Sequence, residues 1–410
     1  MHIRERHIEA VLKKRRRIWP ILGVLGPRQV GKSTFLREKW CNIINGIYLT
    51  LDRAGVRSQF LSESEQSVIV NSEDLKIPLI IDEAQKAPAL FDTLKLLADE
   101  RGVRSFATLS GSVDFSLANG VRESLTGRIG ITRMFPFTIR EISNLPFYSG
   151  WIFGVPKTKN TKNNSVKKNS AYKKVSIKTP PVNAIETWIE RGGLPTVCRL
   201  SSKDERMLAI EEWIEAVCYK DLKELKDKQL DGHIAKELLR LISLRPDYSK
   251  GDFVREIGES SYKIEKHLKA LEALFVIYRK RPYKHSAGKD IFTVFDSALA
   301  GYFGATRETR LEILFINELL AQYEYSAKSM PNLYYYMTKY DMQVPLIFEG
   351  CNGLQAVTIR TNEIIPPFFT RSHLFLKEAL PTINHKVLMP IREEIKFAEG
   401  LTGVPWDSVL

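Results

Sequence analysis

Short apolar runs and longer amphipathic stretches alternate through the first 140 residues. Runs at 21–25, 47–51, 78–82, 105–110 and 129–134 have strand length and read as strands of a buried sheet. Strands that alternate with helical segments predict an α/β fold, a parallel sheet with helices on both faces. From about 183 to 275 helical periodicity dominates, and 211–217 and 235–242 place apolar residues at i, i+3 and i+4. A mixed region follows, with a strand-like run at 291–295, a helix near 311–320 and strands around 333–338, 344–348 and 354–360. No internal repeat is found. The expected organisation is an α/β domain over 1–150, an insertion over 151–180, a helical region over 181–285 and a small α+β domain over 286–410.

Composition supports several domains, since 410 residues exceed the size at which one core usually keeps growing. No window approaches the roughly 18 uninterrupted apolar residues of a membrane span. The charged start Met1-His2-Ile3-Arg4-Glu5-Arg6 lacks a secretory apolar core, so a cytoplasmic location without membrane contact is expected. Cys41, Cys198, Cys218 and Cys351 show neither CxxC pairs nor histidines at ligand spacing, which argues for reduced thiols and against zinc. The net charge of +13 invites an anionic partner such as nucleic acid. Residues 151–180 carry eight lysines and no acid, and a Lys- and Asn-rich stretch reads first as a solvated, disordered insertion. Lys13-Lys14-Arg15-Arg16-Arg17 reads in the same way as a solvated helix end.

The first apolar run leads directly into Gly26-Pro27-Arg28-Gln29-Val30-Gly31-Lys32-Ser33, followed by Thr34, which fits the phosphate-binding template GxxxxGK[ST]. Glycines let backbone N–H groups turn toward phosphate oxygens, and Lys32 would reach the β- and γ-phosphates. A helix starting near Gly31 adds the positive end of its dipole. Residues 26–34 are therefore the expected ATP-binding loop, with the Ser33 hydroxyl on Mg²⁺.

A second motif follows about 50 residues later, where Pro78-Leu79-Ile80-Ile81 delivers Asp82 and Glu83 at the end of a buried strand. Adjacent strand residues point to opposite faces, so the two carboxylates have separate tasks. Asp82 would hold Mg²⁺, usually through water, opposite Ser33, while Glu83 would orient and deprotonate the attacking water. Ser110 or Ser112, after the next strand, is either a polar contact to water and γ-phosphate or a turn residue. Phosphoryl transfer also needs positive charge, and among Arg122, Arg128 and Arg133 the favoured candidate is Arg128, with a structural salt bridge as its alternative. The expected catalytic set is Lys32, Glu83, Ser110 and Arg128, with Ser33 and Asp82 as metal ligands.

Together these residues resemble a family of prokaryotic AAA+-type ATPases whose C-terminal domain, of unknown function, is related to restriction-endonuclease folds. The likeness runs through the loop, Tyr48-Leu49-Thr50-Leu51-Asp52, Ile81-Asp82-Glu83-Ala84-Gln85, Leu109-Ser110-Gly111-Ser112 and Ser124-Leu125-Thr126-Gly127-Arg128. It continues through Arg191-Gly192-Gly193-Leu194-Pro195, Tyr219-Lys220-Asp221-Leu222, Val294-Phe295-Asp296-Ser297 and the segment 311–319. Residues 252–258 and 262–279 resemble that family's winged helix, with Ile264, Leu268 and Leu271 packing it and Lys263, Lys266, His267 and Lys269 partly exposed. Such a segment either reads DNA or serves as a packing or dimerisation module.

The endonuclease-like region departs from the pattern. Glu312 and Glu318 supply its helix, but Gln343 and Pro345 stand where acids are expected, and Thr358 and Arg360 stand where acid and lysine are expected. Proline offers no side-chain ligand and arginine is a poor base, so the resemblance implies a degenerate site, with Asp341 as a substitute ligand if the register slips. The leading expectation is an ATPase coupled to an unknown partner, with DNA and further copies of the chain as candidates. A phosphotransferase, or a nucleotide-gated DNA-binding or interaction protein with negligible hydrolysis, are the alternatives.

Overall fold

The structure is a computed structural model that describes residues 4–115, 125–153, 182–284, 286–337, 343–350, 353–365 and 367–410. The expected insertion, Arg122, Asp341 and Cys351 lie outside these residues, apart from the few positions at the insertion's start.

Five of the strands form one parallel sheet: β1 (Ile21–Leu25), β2 (Ile47–Thr50), β3 (Leu79–Asp82), β4 (Ala107–Gly111) and β5 (Ile129–Arg133), in the order β2-β3-β4-β1-β5. Burial follows that order. Every residue of β3, β4 and β1 is buried, whereas the edge strands β2 and β5 are only partly covered. A parallel strand in the middle of a sheet is covered on both faces, which is why these three read as continuous apolar runs. Each lies within a residue or two of its expected position.

The helical region contains Gly232–Leu244, Lys250–Ile257 and Ser261–Ala273. The hairpin of β6 (Ile277–Pro282) and β7 (Ile291–Val294) follows. These strands belong to an eight-stranded mixed sheet with β8 (Leu333–Met337), β9 (Gln343–Gly350), β10 (Gly353–Ile359), β11 (Asn384–Met389), β12 (Ile395–Ala398) and β13 (Leu401–Pro405). Its order is β12-β13-β11-β10-β9-β8-β6-β7. The expected boundary at 285/286 therefore falls between two strands that pair with each other. Strands β11 to β13 have no counterpart in the sequence reading.

One hydrophobic cluster joins the regions. It contains Leu12 and Leu22 near the first sheet, Leu238 of the helical region, and Leu311, Phe348 and Trp406 of the C-terminal part. A second cluster, including Ile81, Leu94 and Leu109, packs the first sheet with the helix Ala89–Arg101.

Candidate functional site

The loop after β1 opens at the C-terminal edge of the parallel sheet, where ligands of open α/β sheets bind. Two of its glycines have steric reasons. A Cβ at Gly26 would lie 2.2 Å from the Met134 carbonyl oxygen, and Gly31 has φ +97°, in the left-handed region. Gly31 turns the chain into the helical stretch that starts at Lys32–Phe35, so backbone N–H groups and the helix start face one cleft. That cleft has a volume of about 430 Å³, and Lys32, Ser33, Thr34, Glu83 and Ser112 all line it.

Lys32 is 5% exposed, and its Nζ donates to the carbonyls of Gly26 and Pro27, both at 2.9 Å. Burial lowers the pKa of this amine, while Glu83 and Asp82 pull it back up. Asp82, at the end of β3, accepts the Ser110 hydroxyl on one oxygen and the Tyr48 hydroxyl, at 2.5 Å, on the other. Burial, followed by the bond to Asp82, raises the Tyr48 phenol's pKa so that it stays protonated.

Glu83 has φ +58°, a conformation uncommon for a residue with a Cβ, and its carboxylate accepts from Gln85 Nε2 at 2.6 Å. Burial raises its pKa and Lys32 opposes the rise. Gln85 Nε2 also stands 3.4 Å from Glu224 Oε2, which links the strand end to the helical region.

The helical region supplies a wall and a roof. Arg28 Nη1 donates to Asp221 at 2.7 Å, Trp213 Nε1 donates to the Arg28 carbonyl at 3.2 Å, and Thr196 Oγ1 donates to Gln29 at 3.1 Å. Burial pushes the Asp221 carboxyl up to about 6, against the pull of Arg28. Gly192 takes φ +63°, Gly193 N–H donates to buried Asp296 at 2.8 Å, and the Gly193 carbonyl accepts from Phe137 N–H at 2.8 Å. This clamp carries Pro195 and Arg199 over the cleft. The motifs around 192, 221 and 296 thus all build one side of the site.

The expected residues do not all converge. Lys32, Ser33, Asp82, Glu83 and Ser110 come together, and Ser112 joins them. Arg128 does not. In the parallel register Ile129 pairs with Ile21, so Arg128 precedes the sheet at its N-terminal edge, five residue steps or roughly 16 Å of strand away from the loop edge. Its guanidinium grips Asp99 through Nε at 2.5 Å and Nη2 at 2.8 Å, the structural salt bridge that was its alternative. Arg133 stacks on Phe135, Phe275 and Tyr278 instead of facing the cleft. The arginines that do line the cleft are Arg4, Arg6, Arg28 and Arg199, none of them in the region where the sequence reading sought one. Tyr48, Arg28 and Asp221 stood inside quoted motifs without an assigned task, apart from phosphate binding for Arg28.

Elsewhere, Lys263 and Lys266 on the helix Ser261–Ala273 pair with Glu259 and Asp227, both within 2.8 Å, and His267 is buried. In the C-terminal sheet the 2%-exposed Lys280 donates to Glu312 at 2.7 Å and to the Pro345 carbonyl at 3.4 Å. Glu318 turns away and accepts Ile139 N–H at 2.6 Å, so the two helix glutamates do not share a site. Among the described residues no helix is long and apolar enough to cross a membrane, and no cluster of three or more His, Cys, Asp or Glu is arranged for a metal. Magnesium does not require such a cluster, because it is commonly held by one or two protein groups with phosphates and waters. The Ser33 hydroxyl on the loop and the Asp82 carboxylate at the end of β3 are oxygen donors of the kind magnesium takes, so the residues present fit Mg²⁺.

Residues 19–143, which hold all five strands and the loop, match the family model described as an AAA domain. This segment is thus similar to AAA domains, and its loop after β1 supports nucleotide binding. Two uncharacterized proteins, from Mycobacterium tuberculosis and Mycobacterium bovis, are each 26% identical over 164 residues, covering 38% of this chain and 34% of theirs. The chain thus spans about a third of the length of these curated relatives. Among solved structures, the Walker-type ATPase of Pyrococcus abyssi is similar at 16% identity and TM-score 0.44, covering 74% of this chain and 96% of that one. A chain in the structure of Drosophila ORC bound to AT-rich DNA and Cdc6 matches at 13% identity and TM-score 0.22, covering 72% and 89%. Both TM-scores are too low for either likeness to bear on this chain's function.

Proposed function

We propose that this protein binds MgATP in the cleft at the end of β1 and hydrolyses it, and that the cycle moves the helical roof. The carrying observation is that Lys32, Ser33 and Glu83 line one cleft of about 430 Å³ at the end of the sheet where β3 delivers Asp82. Backbone N–H groups of 28–33 and the Lys32 ammonium would bind the β- and γ-phosphates, which requires Lys32 to leave the Gly26 and Pro27 carbonyls. Ser33 and Asp82 would hold Mg²⁺, which supplies positive charge against the phosphate oxygens when bound. Glu83 would orient a water and take its proton as the water oxygen attacks the γ-phosphorus and the bond to the bridging oxygen breaks, so that ADP leaves with that oxygen. Burial raises the basicity of this carboxylate, and Gln85 holds it in place. Arg199 and Arg4 line the same cleft and are the better candidates to meet developing negative charge.

Coupling to the rest of the chain would pass through Arg28–Asp221 and Gln85–Glu224. The C-terminal sheet would serve as a non-cleaving scaffold or partner surface. The Lys280 ammonium already occupies the Glu312 carboxylate and the Pro345 carbonyl, and Thr358 Oγ1 lies 3.0 Å from His385 Nε2 instead of offering a carboxylate.

Steady-state ATP turnover tests the reading. Glu83→Gln should lose at least about 100-fold in turnover while still binding ATP, and Lys32→Ala should lose binding as well. Wild-type turnover no faster than that of both variants would sink it.

A further inference from the structure

Tyr48 has a geometry that loop binding and hydrolysis leave unexplained. It sits on edge strand β2 opposite Ile80 of β3, and Ile80 and Asp82 share a face of that strand. Reaching from position 48 to the Asp82 carboxylate means spanning two residue steps, roughly 7 Å along the sheet, which a serine or threonine hydroxyl cannot do. The phenol oxygen does reach, at 2.5 Å. A phenol has one hydrogen, and it goes to the carboxylate, which has none to give.

A carboxylate that holds a cation, directly or through water, does so best when its oxygens are already oriented. We infer that Tyr48 is a positioning residue for the magnesium ion: from the edge strand its hydroxyl fixes the Asp82 carboxylate. The inference rests on the reading of the cleft as an MgATP site. Outer-shell partners of this kind typically change metal affinity by roughly 10- to 100-fold when removed. Asp82 is held from its other side by Ser110, so Tyr48 completes the carboxylate's orientation.

The test is Mg²⁺ titration of ADP binding, followed by calorimetry, on wild type and Tyr48→Phe, with a parallel series in EDTA. Tyr48→Phe removes a single oxygen and keeps the ring, and a thermal melt confirms that it folds. Binding in EDTA should stay within about twofold of wild type, while the Mg²⁺ concentration for half-maximal tightening should rise about 10- to 100-fold. An unchanged Mg²⁺ midpoint overturns the inference, and so does an equal loss in EDTA and in Mg²⁺, which would make Tyr48 a general support of the fold. In an Asp82→Asn background, adding Tyr48→Phe should shift the midpoint by much less than it does alone, and fully additive shifts also overturn it. If wild type binds no ADP at all, the reading of the cleft fails, a result separable from the Tyr48 outcomes.

Discussion

Arg6 shows how much one side chain can hold in place. Its guanidinium is buried, donates to Glu141 at 3.2 Å, to the Val30 carbonyl at 2.7 Å and to the Phe135 carbonyl at 2.6 Å, and stacks 4.5 Å from the Phe137 ring. One residue thereby ties the phosphate loop to the exit of β5. Glu141 also closes the capping box of the helix Ile139–Ile142 and accepts His7 N–H at 2.7 Å. Arg6→Ala would strand that carboxylate in a buried setting, at a cost of about 3–5 kcal/mol. Denaturant unfolding should show the loss, and Arg6→Lys should recover only part of it, because an ammonium lacks the planar fork. Glu318 offers a residue-scale test with the opposite sign. Burial pushes its carboxyl up to about 8 from an ordinary 4.5, so the folded state holds a proton that the unfolded state releases between those values. Wild-type stability should therefore rise as pH falls from 8 toward 4.5 and level off below. Glu318→Gln keeps an acceptor for Ile139 N–H and removes the titration, so it should be more stable at pH 7 by on the order of 3 kcal/mol, with the advantage vanishing near pH 4.5. Thermal melts across that range would check it.

At the scale of elements, the roof depends on a turn that only glycine tolerates. Gly192 lies at φ +63°, and a Cβ there would stand 2.3 Å from an Asp296 carboxylate oxygen, while Asp296 caps the helix Ser297–Tyr302 by accepting Ala298 N–H at 2.9 Å. Asp296 cannot shift without uncapping that helix. Gly192→Ala should therefore displace the segment Pro195–Cys198 and Arg199 from the cleft, with a backbone cost of about 1–2 kcal/mol before the clash is counted. Nucleotide affinity should fall while the five-stranded sheet stays folded, a pairing that binding titration and circular dichroism would read together. The central strands were legible as elements because burial on both faces writes an uninterrupted apolar run. Strands β11–β13 were not. They carry Lys386, Lys396 and Thr402 among apolar residues, and β11 takes both of its partners, β10 and β13, from elsewhere along the chain.

At the scale of the molecule, the phosphate loop and the helical region meet through Arg28–Asp221, with Asp221 only 1% exposed and ending the π-helical stretch Val217–Asp221. Such local widenings of a helix frequently sit at functional sites. Nucleotide binding should slow hydrogen exchange at 217–224 as well as at 26–34 in the wild type. In Asp221→Asn the loop should still be protected and 217–224 should lose most of the effect. Exchange measured by mass spectrometry with and without ADP would show this, and equal protection of 217–224 in both proteins would rule out the ion pair as the link.

The sequence by itself determined the α/β class of the first domain, the loop at 26–34, the carboxylates Asp82 and Glu83, and Ser110, because each is written in local pattern: strand-length apolar runs, glycines at a turn, acids at a strand end. It left open which arginine faces the loop, and the favoured one lies at the wrong edge. A residue that precedes a parallel strand belongs to the N-terminal edge of the sheet, but the register that places 129 beside 21 is a tertiary fact. Tertiary structure alone brought Arg6 and Arg199 to the cleft, Tyr48 to Asp82 and Asp221 to Arg28. Hydrogen bonds and ion pairs join residues by distance in space, and pairs separated by 24 positions, as Arg6 and Val30 are, or by 193, as Arg28 and Asp221 are, leave no periodic trace along the chain.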